Sequence, residues 1–242
     1  MKTAFITGSS RGIGKAIALR LAKDGFKVIL HGTSESQAII DLKDDIIKNG
    51  GSAEILTSNL CDTDSTKKLA EMTTNIDVLV LNASVQYKMP WQNISVNDCY
   101  DQLNCNFISS LLLIQGAVEN MKRQGFGRII TIGSVQEAKP HPDMLIYSAS
   151  KAAQENMMRS LSLQLAKDKI TVNNVAPGVI YTDRNVDALS DPEYAKKVTD
   201  SIPLGYYGEP RDVAGIVSFL CSEEGRYITG QSIYVDGGKS VQ

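Results

Sequence analysis

Short apolar segments alternate along the chain with amphipathic segments in which apolar residues recur every three or four positions. The apolar segments have the length and β-branched content of buried strands, whereas the amphipathic segments have the spacing of helices that pack on a sheet. Strands are predicted at residues 3–7, 27–31, 53–58, 77–81, 128–133, 170–176 and 232–235. Helices are predicted at residues 12–23, 36–49, 64–73, 96–124, 148–167 and 210–221.

This alternation predicts an α/β fold, a single doubly wound Rossmann-type domain with a parallel sheet flanked by helices on both faces. Residues 77–81 are continuously apolar after Asp77, as expected of a strand covered on both sides. No linker or repeat divides residues 1–242, so we expect one domain. Residues 183–209 are polar and interrupt the rhythm, and they are predicted to cover the substrate. Ligands of such a fold bind at the carboxyl ends of the strands.

The composition disfavours several other classes of function. Hydrophobic residues make up 43% and charged residues 21% of the chain, which is typical of a globular protein. A net charge of −2 without basic runs gives no attraction to nucleic acid or to an acidic membrane. Without a signal-like or membrane-length apolar segment, a cytoplasmic protein with no membrane partner is expected. Four cysteines and two histidines lack metal-site spacing, so no metal is expected.

A glycine-rich segment, TGSSRGIG at residues 7–14, lies between the first predicted strand and the first helix. Glycines there allow a sharp turn and let a pyrophosphate approach the helix N-terminus, where free N–H groups favour an anion. A plain tight turn is the alternative interpretation. The predicted cofactor contacts in this segment are Gly8, Ser10, Arg11, Gly12, Ile13 and Gly14.

The residues after the second strand indicate which dinucleotide would bind. Sites for NAD usually place a carboxylate at the end of this strand. Residues 31–34 contain no carboxylate, and the first acidic residue after the strand is Glu35. Arg11 could instead meet a 2′-phosphate, so NADP(H) is the predicted cofactor. If Arg11 is merely solvated, NAD remains open. Further contacts around the adenosine end are predicted at Thr33, Asn59 and Leu60, although Asn59 could also be a simple strand cap.

The candidate chemistry lies at the start of the helix predicted around residue 148. Tyr147 and Lys151 are four residues apart, so both lie on one face of that helix. An ammonium near a phenol stabilises the phenolate and is expected to lower the tyrosine pKa, which suits a proton donor and acceptor. Ser134 follows the strand at residues 128–133, where its hydroxyl could bind the same substrate oxygen or cap the strand end.

Together these motifs resemble the short-chain dehydrogenase/reductase family over residues 2–238. Residues 7–14 fit its cofactor turn, and residues 81–83 fit its Asn-Asn-Ala-Gly segment in part. The family's catalytic tetrad is matched in order and spacing by Asn106, Ser134, Tyr147 and Lys151. Residues 235–238 fit its terminal signature. The resemblance implies further cofactor contacts at Asn82, Ala83, Tyr147, Lys151, Pro177, Gly178, Ile180 and Thr182.

The resemblance also implies roles for the tetrad. Tyr147 would be the acid and base, and Lys151 would lower its pKa and bind the nicotinamide ribose. Ser134 would orient the oxygen of a small carbonyl or alcohol substrate. Asn106 would hold a water that links Lys151 to solvent, or it could only mark a helix kink. The nicotinamide supplies the hydride chemistry in such an enzyme.

Within the family the chain is most similar to 3-oxoacyl-(acyl-carrier-protein) reductases. An acidic carrier protein would need basic residues near the site, for which Lys122, Arg123 and Lys169 are candidates. A sugar, polyol or other ketone or alcohol dehydrogenase is the alternative within the family. A non-catalytic NADP-sensing binding module is the alternative of a different class.

Other positions bear on the pocket and on assembly. Ser84 replaces the glycine usual in the family and is expected to narrow the space beside the cofactor. Gln136 and His141 could line the pocket or face solvent. The resemblance implies a homotetramer, with an apolar stripe as its interface or as ordinary core, namely Met157, Met158, Leu161 and Leu165.

Overall fold

Strands and helices alternate through most of the chain, as the apolar pattern predicts. The computed structural model describes the backbone of residues 1–242 and all side chains except those of residues 187 and 188. The strands are β1 Thr3–Ile6, β2 Lys27–Gly32, β3 Ser52–Thr57, β4 Val78–Leu81, β5 Gly127–Ile132, β6 Ile170–Pro177 and β7 Ser232–Val235. The helices are α1 Gly12–Lys23, α2 Gln37–Lys48, α3 Thr63–Met72, α4 Val96–Leu103, α5 Ser109–Gln124, α6 Leu145–Leu165, α7 Val186–Leu189, α8 Pro192–Asp200 and α9 Pro210–Cys221.

All seven strands join one parallel sheet in the order β3-β2-β1-β4-β5-β6-β7. The chain builds outwards from β1 to β3 and then returns to place β4 on the other side of β1. A crevice opens at such a reversal, outside the carboxyl ends of the strands, because the flanking helices lie on opposite faces. The segments that follow β1, β4 and β5 therefore meet at one edge.

Alternate residues of each central strand point to opposite faces of the sheet, so each face carries its own apolar core. On β1, Ile6 packs with residues of α1, α2 and α9, whereas Phe5 packs with residues of α3, α5 and α6. All four residues of β4 are buried, because both faces are covered. The predicted doubly wound architecture is confirmed.

The helix predicted at residues 96–124 is divided by a π-helical stretch over residues 104–108. The wider turn lets α4 and α5 follow each other without a loop, and it changes the direction of the side chains it carries. Asn106 lies in this stretch and is fully buried. Helical periodicity alone does not reveal such a stretch, because the sequence remains favourable for a helix on both sides.

Residues 183–209 contain the short helices α7 and α8 rather than a structureless loop. Asp191 caps α8 by accepting hydrogen bonds from the backbone N–H groups of Glu193 and Tyr194. Tyr181 stacks on Tyr207 at a ring-centroid distance of 5.6 Å, so the two ends of this segment are in contact. In the part of the chain that is described, no helix is long and apolar enough to cross a membrane.

The apolar stripe on α6 contributes to the core, as the alternative interpretation expects, and its role as a subunit interface stays a prediction. Met158 and Leu165 are buried, while Met157 and Leu161 are partly buried and pack against the same cluster. Their spacing is that of a helix face directed at the sheet. The exposed large apolar residues of this helix are Leu145 and Leu163.

Candidate active site

A cavity of about 980 Å³ lies along the carboxyl edge of the sheet. This volume is at the upper end of the range for small-molecule sites. Every residue that the sequence predicts for cofactor binding or catalysis lines it, with the exception of Asn106. One end is formed by residues after β2 and β3, and the other end is formed by residues after β5 and β6. The predicted residues therefore converge on a single elongated site.

The glycine-rich turn forms the floor of this cavity. Gly8 has a φ of +62°, and a Cβ added at Gly14 would lie 2.3 Å from the Gly8 carbonyl oxygen. The Asn82 side chain donates hydrogen bonds of 2.9 Å to the carbonyl oxygens of Thr7 and Gly8. The α1 N-terminus carries no acidic residue in its first turn and no side-chain cap. These features fit a pyrophosphate, because the backbone is held open and the helix N-terminus stays available for an anion.

His31 supports the turn from β2, a role that the sequence does not predict. Its Nδ1 accepts a hydrogen bond of 3.2 Å from the Gly8 N–H. Burial lowers the pKa of His31 to about 4, so the imidazole stays neutral and can act as an acceptor at ordinary pH.

Tyr147, Ser134 and Lys151 lie together at the other end of the cavity. Ser134 follows β5 and also caps a 3₁₀ turn, because its Oγ accepts a hydrogen bond of 3.2 Å from the Gln136 N–H. Tyr147 is buried, with 6% of its surface exposed, and its side chain forms hydrogen bonds with Ser134 and Ser84. The Lys151 Nζ lies 5.9 Å from the centre of the Tyr147 ring. The capping alternative for Ser134 is thus observed, and the binding of a substrate oxygen by its hydroxyl stays a prediction.

The expected lowering of the Tyr147 pKa by Lys151 is wrong for this structure. Burial raises the pKa of Tyr147 above its ordinary value, while the charge of Arg184 and the hydrogen bonds with Ser134 and Ser84 lower it in part. Desolvation dominates because the neutral phenol is favoured in a buried environment. Tyr147 is thus protonated at neutral pH, which is the state required of a proton donor.

Lys151 is held in a buried position by two acceptors. Its Nζ donates hydrogen bonds of 2.7 Å to the Ile132 carbonyl oxygen and 3.2 Å to Gln154 Oε1. Burial, and then the charge of Arg184, lower the pKa of Lys151 to about 8. The Lys151 amine is therefore mostly protonated at pH 7, and it loses its proton under mildly basic conditions.

Asn106 lies behind the cavity wall rather than on it. Its amide Nδ2 donates to the Val85 carbonyl oxygen at 2.9 Å and to Ser150 Oγ at 3.0 Å, and its Oδ1 accepts from the Val85 N–H at 2.9 Å. The side chain therefore joins the segment after β4 to α6. This position supports a positioning role, and the predicted water-holding role stays a prediction.

Glu137 is a buried carboxylate that the sequence interpretation missed. Its Oε2 accepts from the Ser134 N–H at 3.3 Å, and its Oε1 accepts from Asn174 and Ser232 at 2.8 Å. Burial raises the pKa of Glu137. The spacing of Ser134 and Glu137 is that of a capping box, and this signal could have identified the contact.

The basic residues near the site differ from those expected. Lys122 and Arg123 are in the last turn of α5, and Lys169 precedes β6, so all three lie at the opposite edge of the sheet. They do not line the cavity. Besides Lys151, the basic side chains at the catalytic end are instead Lys88, Lys139, Arg184 and Lys239. Gln136 and His141 both line the cavity as well.

Arg184 reaches across the cavity from the segment after β6. Its Nη1 donates to Ser84 Oγ at 3.2 Å and to Gln86 Oε1 at 3.4 Å, and its Nη2 donates to the Ser84 carbonyl oxygen at 3.0 Å. Ser84, which replaces the expected glycine, therefore contacts both Arg184 and Tyr147. The expected narrowing of the space beside the cofactor stays a prediction, and the observed effect of the Ser84 side chain is its contact with Arg184.

Comparisons with known proteins cover almost the whole chain. A family model described as enoyl-(acyl carrier protein) reductase matches residues 8–240. Glucose 1-dehydrogenase of Gluconobacter oxydans is 38% identical over 99% of this chain and 92% of its own length. A 3-oxoacyl-(acyl-carrier-protein) reductase of Aquifex aeolicus is 38% identical over 98% of this chain and 96% of its own length.

A solved structure supports the same assignment. The 3-oxoacyl (acyl-carrier-protein) reductase from Agrobacterium tumefaciens with NADP bound superposes with a TM-score of 0.93 at 36% identity, covering 98% of this chain and 93% of that chain. The chain belongs to the short-chain dehydrogenase/reductase family of oxidoreductases.

Proposed function

We propose that this protein is an NADP(H)-dependent reductase that converts a small carbonyl compound of the 3-oxoacyl type to the alcohol. The observation that carries the proposal is the convergence of Ser134, Tyr147 and Lys151 on one end of the cavity. A non-catalytic NADP-sensing module would not need a buried, protonated phenol beside two hydroxyls. The 3-oxoacyl assignment is supported by the relatives of that name.

In this proposal the chain supplies position and a proton. The Ser134 hydroxyl donates a hydrogen bond to the carbonyl oxygen of the substrate, and Tyr147 donates its proton to the same oxygen. The Lys151 ammonium stabilises the phenolate that remains. Asn106 positions the cavity wall that supports Tyr147 and Lys151. When bound, the nicotinamide would supply the hydride for the carbonyl carbon.

The residues that would hold NADP(H) follow from the shape of the cavity. The turn at residues 8–14 would hold the pyrophosphate, and Lys151 would bind the ribose next to the nicotinamide. Arg11 lines the adenosine end together with Thr33 and Asn59, whereas Glu35 is exposed and lies outside the cavity lining. A guanidinium without a neighbouring carboxylate suits a 2′-phosphate. The bound NADP in the Agrobacterium tumefaciens relative is consistent with this choice.

We predict a preference for NADPH over NADH that depends on Arg11. Arg11→Gln should lower kcat/KM for NADPH by about 10- to 100-fold, the cost of one charge-assisted hydrogen-bonded contact, and change kcat/KM for NADH by less than about twofold. Steady-state rates with both cofactors at 0.15 M salt provide the measurement. Lys23→Gln, at an exposed position at the end of the helix that Arg11 precedes, is the matched control. Equal efficiency of the wild type with both cofactors would contradict the assignment.

A sugar or polyol dehydrogenase is the second candidate. The polar side chains Gln86, Gln136, His141 and Asn185 line the cavity and could bind hydroxyl groups. The glucose 1-dehydrogenase relative is consistent with it. Rates of NADP(H) turnover with acetoacetyl thioesters, sugars and cyclic ketones would separate the two candidates. No turnover with any of these classes would argue against an active reductase.

We also propose that residues 183–209 form a cover over the bound substrate. Tyr194 and Val198 of α8 and Leu189 of α7 line the cavity from this side. The stacked pair Tyr181 and Tyr207 would keep the two ends of the cover together. A cover of this kind excludes water during the transfer.

A cytoplasmic homotetramer is the proposed state of the protein. Exposed apolar residues are present on α4, at Val96 and Tyr100, and on α6 at Leu163, and a subunit contact would bury them. Light scattering should give four times the chain mass of 26.3 kDa, and Leu163→Asp should give a smaller assembly. A wild-type monomer would contradict this proposal.

A further inference from the structure

The catalytic end of the cavity is positively charged. Besides the catalytic Lys151, Lys88, Lys139, Arg184 and Lys239 line it, and Asp183 is the only acidic side chain among the described residues that does so. The chain as a whole has a net charge of −2, so this is a local arrangement rather than a general excess of base. A cleft lined by one sign of charge raises the local concentration of ligands of the opposite sign.

Arg184 is a basic residue beside the proposed chemistry that the proposed reaction itself does not use. Its hydrogen-bond partners are the hydroxyl and carbonyl of Ser84 and the amide of Gln86, all of which are neutral. None of the ion pairs formed by the described side chains involves Arg184. Since a guanidinium has five N–H donors, Arg184 retains the capacity to bind a carboxylate or phosphate as well.

The Ser84 hydroxyl fixes how far Arg184 lies from the reacting group. Ser84 forms hydrogen bonds with Tyr147 on one side and with Arg184 on the other. The guanidinium therefore lies on the Tyr147 side of the cavity, where its charge acts on the phenol. A ligand whose carbonyl oxygen is bound by Tyr147 and Ser134 could therefore reach Arg184 with a group only a few bonds away.

We propose that Arg184 binds an anionic group of the substrate, so that the enzyme prefers carbonyl compounds carrying a carboxylate or a phosphate within about three bonds of the carbonyl. This inference rests on the proposed reductase activity and narrows its substrate class. Ser84 holds the guanidinium beside the reacting oxygen, and Lys139 and Lys239 extend the positive charge towards solvent. Arg184 is thereby a specificity-determining residue.

Matched pairs of carbonyl compounds test the proposal with saturating NADPH. The carboxylate arms are 2-oxobutanoate and 3-oxobutanoate, each compared with its methyl ester, and the phosphate arm is dihydroxyacetone phosphate compared with dihydroxyacetone. In at least one pair we expect the anion to have a kcat/KM at least about tenfold higher, the advantage that one charge-assisted hydrogen bond gives. The arm with this preference identifies the anionic group.

Arg184→Gln should raise KM for the preferred anion by about 10- to 100-fold and change the KM of its neutral partner by less than about twofold. Arg184→Lys should restore part of the affinity, since it keeps the charge but not the planar donor geometry. Arg226→Gln, an exposed position outside the cavity lining, is the control. Calorimetry of the same anion added to the enzyme with NADP⁺ should show the same loss of affinity in Arg184→Gln without any turnover.

The possible failures are distinguishable. If the wild type reduces the neutral partners as efficiently as the anions, or if Arg184→Gln affects both equally, the anion assignment is wrong while the reductase activity stands. If none of these compounds, nor thioesters, sugars or cyclic ketones, is reduced with NADPH, the proposed function itself is wrong.

Discussion

Replacing Tyr147 by phenylalanine is expected to lower kcat by about 1,000-fold, the loss that follows removal of a positioned general acid. The phenyl ring would occupy the same buried space, so the fold and the cavity should remain. NADPH affinity should change by less than about twofold on this account, because the substitution removes only the hydroxyl. The hydroxyls of Ser134 and Ser84 would still be present to bind the substrate oxygen.

Three measurements separate this outcome from a general loss of function. Single-turnover rates report the chemical step, fluorescence titration with NADPH reports cofactor binding, and thermal unfolding reports the fold. Tyr227→Phe is the matched control, since Tyr227 is 97% exposed and is not part of the cavity lining. A Tyr147→Phe enzyme that reduces substrate at the wild-type rate would remove Tyr147 from the proposed mechanism.

The fold was predictable because a parallel sheet covered on both faces imposes a strong pattern on the sequence. Residues Val78–Leu81 of β4 are all apolar and all buried, and the helices around them bury one face each. Boundaries were less exact. The helix α6 begins at Leu145, three residues before the predicted start, so its first turn already contains Tyr147.

The two ends of the cavity were predictable because each depends on a local motif at the end of a strand. The turn after β1 and the residue after β5 meet at one edge as a consequence of the strand order. Asn106 illustrates the limit of this argument. Its motif position was identified, but the π-helical stretch directs its amide to Val85 and Ser150 behind the wall.

Contacts between distant segments were not predictable from local patterns. Arg184 and Ser84 are 100 positions apart, and neither belongs to a strand. Their contact depends on how the segment after β6 folds over the cavity. The direction of the Tyr147 pKa shift was also missed, because it depends on how completely the phenol is buried rather than on its spacing from Lys151.

The Lys151→Met substitution should separate activity from stability. Burial lowers the pKa of Lys151 from 10.5 to about 8. By the conversion of about 1.4 kcal/mol per pH unit, the buried ammonium costs about 3 kcal/mol of folding free energy at neutral pH. Methionine has a similar shape without the charge, but it leaves the Ile132 carbonyl and Gln154 Oε1 without their donor, which costs about 1 kcal/mol for each of these two acceptors.

We therefore expect Lys151→Met to unfold a few degrees above the wild type at pH 7, on the scale of about 2–4 °C per kcal/mol for a domain of this size. Its kcat/KM should fall by about 100- to 1,000-fold, since the charge that stabilises the phenolate is gone. Lys167→Met, at an exposed position beyond the end of α6, is the control for both measurements.

The pH dependence of unfolding gives the sign of this effect independently of its size. Between pH 8 and pH 10.5 the unfolded wild-type chain holds the Lys151 proton more tightly than the folded protein does, so this group makes the wild type more stable as the pH rises. Below about pH 8 Lys151 is protonated in both the folded and the unfolded state. The free-energy cost of burying its ammonium is then constant and at its largest. The stability advantage of Lys151→Met should therefore be greatest at pH 7 and smaller at pH 9.5. An advantage that grows with pH, or a variant less stable than the wild type at pH 7, would show that the Lys151 ammonium is stabilised rather than strained in the folded protein.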